Sequence, residues 1–108
     1  MNDLNNNIKF NYLYRDAGNY KESNEIIFSN RYSETIDKIE ILISENLIEG
    51  EFFLPEQWEI PRLSFSNFSP YLDHDYHEFV SVETTDEEVT ESIDLSTFLI
   101  RISKNKTR

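Results

Sequence analysis

Both histidines of the chain fall in one short run, Asp73-His74-Asp75-Tyr76-His77-Glu78, together with three carboxylates. Imidazole is the side chain that ordinarily titrates near neutral pH, and imidazole and carboxylate are both metal ligands, so acid–base or metal chemistry in this chain would centre here. In an extended backbone Asp73, Asp75 and His77 point to one side, and His74, Tyr76 and Glu78 to the other. The first set offers two oxygens and one nitrogen to a divalent ion. A closed site needs a further ligand, which the sequence does not name, and the spacing differs from the helical His-Glu-x-x-His arrangement. The competing reading is that these side chains bond nearby backbone donors and hold a loop in place. A metal-dependent hydrolase or metal-binding protein using Asp73, Asp75 and His77 is therefore the alternative, and the leading reading requires no cofactor.

The charge around that run carries the leading reading. The net charge is −11, and residues 63–100 hold nine of the 21 acids with no Lys or Arg, whereas residues 101–108 hold four bases and no acid. A field of this sign repels phosphate backbones, so direct nucleic-acid binding is disfavoured and a basic surface on a protein partner is favoured. Asp86, Glu87, Glu88 and Glu91 form the densest part of a loop at 85–91, and a base-free neighbourhood leaves them without local partners. Charge runs are usually solvated loops, and net charge acts on solubility first. Closely spaced carboxylates can also stand in for a phosphate backbone and occupy a basic groove, as an inhibitor of a nucleic-acid-handling protein would. Asp73, Asp75, Asp86, Glu87, Glu88 and Glu91 are the residues expected to make that contact.

Several classes lose their signatures. Without cysteine there are no disulfides, thiol nucleophiles or thiolate zinc sites, which points to a reducing, cytoplasmic setting. Two glycines, Gly18 and Gly50, cannot build a phosphate-cradling loop, and no Gly-x-Ser-x-Gly elbow occurs. No apolar run approaches membrane-spanning length, so no membrane partner is expected.

The elements that must position these residues read as one α+β domain over 8–103, after an Asn-rich lead-in at 1–7 and before a basic tail at 104–108. Ile8, Phe10, Tyr12 and Tyr14 alternate with polar residues and predict a strand with one aromatic face. Asp16, Gly18 and Asn19 supply a turn, and a returning strand runs over 20–29. Tyr14, Arg15 and Tyr20 at this hairpin tip are candidate recognition residues, against the reading that the two tyrosines are a core-facing pair and Arg15 meets a nearby carboxylate. Ser33 is the expected helix N-cap, Ile36, Ile39, Ile43 and Leu47 recur at helical spacing, and Gly50 is expected to end the helix. Residues 51–54 form an edge strand or a docked connector, anchored by Trp58 between two prolines. A third strand is expected near 63–66. Residues 76–84 alternate as a fourth, with Tyr76, Glu78, Val80 and Val82 on one face and His77, Phe79 and Ser81 on the other. Leu95, Phe98, Leu99 and Ile102 have helical spacing, with Asp94 suited to a first turn and a strand as rival. The order ββαββα predicts a small antiparallel β-sheet with two helices on one face.

The stretches Tyr12-Leu13-Tyr14-Arg15-Asp16-Ala17-Gly18-Asn19-Tyr20-Lys21, Gly50-Glu51-Phe52-Phe53-Leu54-Pro55-Glu56-Gln57-Trp58 and Asp73-His74-Asp75-Tyr76-His77-Glu78-Phe79 resemble a group of small uncharacterised bacterial proteins. The resemblance implies a bacterial or phage setting and carries over no catalytic residue. The chain is thus expected to be an acidic, non-enzymatic protein-interaction module. A third possibility is a homo-oligomer whose surplus aromatics are buried between copies.

Overall fold

The computed structural model describes residues 6–16, 18–63 and 76–104. Asp73 and Asp75, most of the strand expected near 63–66 and the loop after it lie outside the described residues.

Period-2 patterning builds the sheet. Strand β1 (Asn7–Arg15) buries Ile8, Phe10, Tyr12 and Tyr14 and turns Lys9, Asn11, Leu13 and Arg15 to the other side. Strand β2 (Lys21–Phe28) returns antiparallel from the turn, where Asn19 takes the left-handed conformation at φ 68° and the Asp16 side chain accepts from the Tyr20 amide. Strand β3 (Phe52–Phe53) is only two residues long, and β4 (His77–Thr85) runs between it and β1, giving the spatial order β2-β1-β4-β3. The three strand pairings among the described residues are antiparallel.

Among the described residues three helices accompany the sheet: α1 (Ile36–Glu45), the single turn α2 (Pro55–Trp58) and α3 (Leu95–Lys104). The element order is therefore ββαβαβα, because Pro55 starts a helical turn inside the connector. Burial settles the last element as a helix: Leu95, Phe98, Leu99 and Ile102 all face the core, as their spacing required. Helix α1 starts two residues later than Ser33 suggested. Thr35 is its N-cap, accepting from the Lys38 amide at 3.3 Å, while Ser33 sits at φ 52° in the preceding turn. Gly50 does not end the helix, whose cap is Asn46. Glu49 and Gly50 have consecutive positive φ values, 55° and 73°, which fits a type I′ turn leading back into β3.

The core is aromatic, and Phe10 is its centre. Its ring lies 5.4–6.3 Å from those of Tyr12, Phe53, Trp58, Phe79 and Phe98. Phe53 stacks on Trp58 at 4.4 Å and Phe28 on Phe98 at 4.5 Å, so the sheet, α2 and α3 meet through rings, while Ile39 and Ile43 bring α1 into the same cluster. Large rings bury much area per residue, which lets a chain with 38% hydrophobic residues fill a core. No helix among the described residues is long and apolar enough to cross a membrane.

Candidate functional site

A bulge in β4 decides the surroundings of His77, one of the candidate metal ligands. Asn11 pairs with Ser81 and Tyr12 with Phe79, which leaves Val80 with no opposite residue on β1. The extra residue shifts the side-chain phase by one. His77 and Phe79 therefore share the core side with Val82, whereas simple alternation put Val82 on the opposite face. His77 is fully buried, with its ring 5.1 Å from Tyr14 and about 6 Å from Tyr12 and Phe53. Its Nε2 accepts the Leu63 N–H at 2.9 Å. A nitrogen that accepts in this way carries no proton and has its lone pair engaged, which is the geometry of a core histidine pinning the returning chain to β4. Beside it the Tyr12 hydroxyl donates to the Pro61 carbonyl at 2.7 Å and accepts from Asn24 at 3.0 Å, and burial raises the Tyr12 pKa. Replacing His77 with Phe keeps a ring in this pocket but leaves the Leu63 N–H without its acceptor, an expected loss of about 1–2 kcal/mol in urea unfolding. Among the described residues no group of three His, Asp or Glu side chains is placed to hold a metal ion.

The acids of the 85–91 loop occupy a different place, the side of the sheet opposite the helices. There β1 contributes Lys9, Asn11, Leu13 and Arg15, β2 contributes Lys21, Ser23 and Glu25, and β4 contributes Glu78, Ser81 and Glu83. Lys9 lies at the centre of one half. Its ammonium meets Glu87 at 2.5 Å and Glu25 at 3.7 Å, with Glu83 directly across on β4. The bond to Glu87 is the main reason that the Lys9 pKa is raised and the Glu87 pKa lowered. One cation thus pairs with two carboxylates and faces a third, and the exposed Asp86 and Glu88 flank Glu87. Asn11 Nδ2 joins Ser81 Oγ at 3.2 Å to Glu83 at 3.1 Å. A shallow hollow of about 520 Å³ lies beside this group, lined in part by Asn11, Leu13, Ser23, Glu25 and Val80.

The loop itself is a strap. Thr85 Oγ1 caps the Glu87 amide, Asn7 donates to the Glu87 carbonyl, and the strap then reaches the outer edge of β2. At that edge the Thr90 amide donates to the Ile27 carbonyl at 2.9 Å and the Ile27 amide to Thr90 Oγ1 at 2.8 Å. Glu87 is accordingly not without a partner. Its cation comes from β1, 78 residues away, beyond the reach of a local charge count. Glu91 accepts from the Thr90 hydroxyl, while Asp86 and Glu88 make no ion pair among the described residues.

The chain matches no family model, no curated protein and no solved structure.

At the hairpin tip the tyrosines part company: Tyr14 is buried and Tyr20 is 71% exposed. Arg15 holds Glu78 through two bonds, of 2.8 and 3.2 Å, and also donates to Asn19. That fork locks the guanidinium across β1 and β4. The residue that sequence reasoning undervalued is Asp94. Its two oxygens accept from the Ser96 amide and hydroxyl, the Arg31 amide and the Ser29 hydroxyl, at 2.7–3.0 Å. Its position just before an apolar helical repeat was a legible N-cap signal. The contacts to Ser29 and Arg31 had none.

Proposed function

We propose that this chain is a non-enzymatic interaction module that uses the helix-free face of its sheet to bind a basic surface on a protein partner. The observation that supports the reading is the gathering of Glu25, Glu83 and Glu87, from three separate segments, around Lys9, whose ammonium pairs with Glu87 and Glu25 while Glu83 lies across from it on β4. The arrangement leaves an excess of negative charge on a face fixed by a sheet, and Asp86 and Glu88 extend it. Fixed carboxylates bind without the ordering cost that a free loop carries. A protein that normally grips nucleic acid presents the complementary surface, and occupying its groove would exclude the phosphate backbone.

Neutralising the face tests this. A variant carrying Glu83→Gln, Asp86→Asn and Glu88→Gln, all away from the core, is expected to keep the fold and to weaken partner capture roughly tenfold at physiological salt. The captured protein should be displaced by duplex DNA or RNA. Equal capture by the neutralised variant, or capture indifferent to salt, would remove the reading.

A further inference from the structure

Among the described strands β2 has a neighbour, β1, on one side only, and the two sides of its backbone alternate residue by residue. The Ile27 amide and carbonyl point away from β1, since both bond the strap at Thr90. By the same alternation the backbone groups of Lys21, Ser23 and Glu25 also point outward, while those of Glu22, Asn24 and Ile26 face β1. No hydrogen bond to the outward groups of residues 21, 23 and 25 is present among the described residues. The open stretch has definite ends. At one end the strap occupies Ile27, and at the other Asn19, at φ 68°, takes the chain out of the extended conformation. Lys21, Glu22, Ser23 and Glu25 are exposed along it, with no proline or bulge to blunt pairing.

The sequence of that stretch, Lys21-Glu22-Ser23-Asn24-Glu25, is self-complementary when run antiparallel to itself. With Ser23 opposite Ser23, Lys21 falls opposite Glu25, and Glu22 opposite Asn24. The outward-pointing residues then face one another, which is the register that lets Lys21, Ser23 and Glu25 exchange about six backbone hydrogen bonds with a second chain. We propose that a second copy of this chain pairs with the open edge of β2 about a two-fold axis at Ser23. The two sheets become one, and the Lys21 ammonium of each copy meets the Glu25 carboxylate of the other on the helix-free face. The association closes at two copies, because a two-fold pairing consumes the same edge of both. It does not depend on the partner reading above, and it sets two acidic faces side by side.

Sedimentation velocity on the full chain, up to the millimolar range, tests the pairing, with hydrogen exchange read at the amides of residues 21, 23 and 25. A reversible dimer is expected, with those amides gaining protection as concentration rises. Ser23→Pro removes an outward N–H that takes no part in the β1–β2 ladder, so the variant should fold and remain monomeric. Lys21→Glu should weaken the dimer roughly tenfold, about 1.4 kcal/mol, and adding Glu25→Lys should restore it. A chain that stays monomeric with fast exchange at these amides overturns the proposal. So does a dimer that neither Ser23→Pro nor Lys21→Glu disturbs.

Discussion

Phe10→Ala is expected to remove about 3–5 kcal/mol of stability. The ring is 1% exposed and touches five other aromatic rings contributed by β1, β3, β4, α2 and α3. Truncation loses the transfer free energy of the ring and leaves a void that five rigid neighbours, themselves packed on one another, cannot close. A domain of this size has about 5–15 kcal/mol in hand, so the variant should sit near its unfolding transition at room temperature. Urea unfolding followed by Trp58 fluorescence measures the loss. Phe10→Leu, which fills most of the space, should lose less than half as much. If Phe10→Ala unfolded at the wild-type urea concentration, the ring cluster would not be the core of the fold.

Asp94→Ala is the second, with an expected loss of about 2–3 kcal/mol. The carboxylate caps α3 through the Ser96 amide and ties that helix to the turn after β2 through Ser29 and Arg31. Burial on its own would push the Asp94 carboxyl up. The hydrogen bonds from Ser96, Arg31 and Ser29 outweigh it and hold the pKa at about 2, below the ordinary 3.8. A carboxyl held down in the folded state contributes stability that is complete above the unfolded value and lost as pH falls through the folded one. The charge-dependent part is about 1–2 kcal/mol after discounting for solvent screening at a partly exposed group. Asp94→Asn, which can still cap, isolates that part. Its deficit against the wild type should be constant near neutrality and should close as pH falls from 3.8 through about 2. A deficit independent of pH across that window would show that the charge does not matter. Asp94 also fixes the far end of the strap, so Asp94→Ala should loosen the acidic rim as well as α3.

These two residues show where sequence information stops. The alternation of Ile8, Phe10, Tyr12 and Tyr14 determined by itself which face of β1 is buried, because period 2 needs no knowledge of the partner strand. The spacing of Leu95, Phe98, Leu99 and Ile102 did the same for α3, although the strand rival was excluded only by burial. The antiparallel α+β class followed from the order of those patterns. Only the tertiary structure decided what depends on pairings far apart in the chain. The bulge at Val80 reversed the phase within β4, and no local residue announces a bulge whose cause is register against β1. The same is true of Lys9 and Glu87, whose pairing turns a loop into a strap, and of Asp94 with Ser29 and Arg31. The run at 73–78 drew notice because its residue types can do chemistry, yet His77 is turned into the core by the bulge and serves Leu63. Residue type gives the repertoire of a side chain, and register decides which part of it is used.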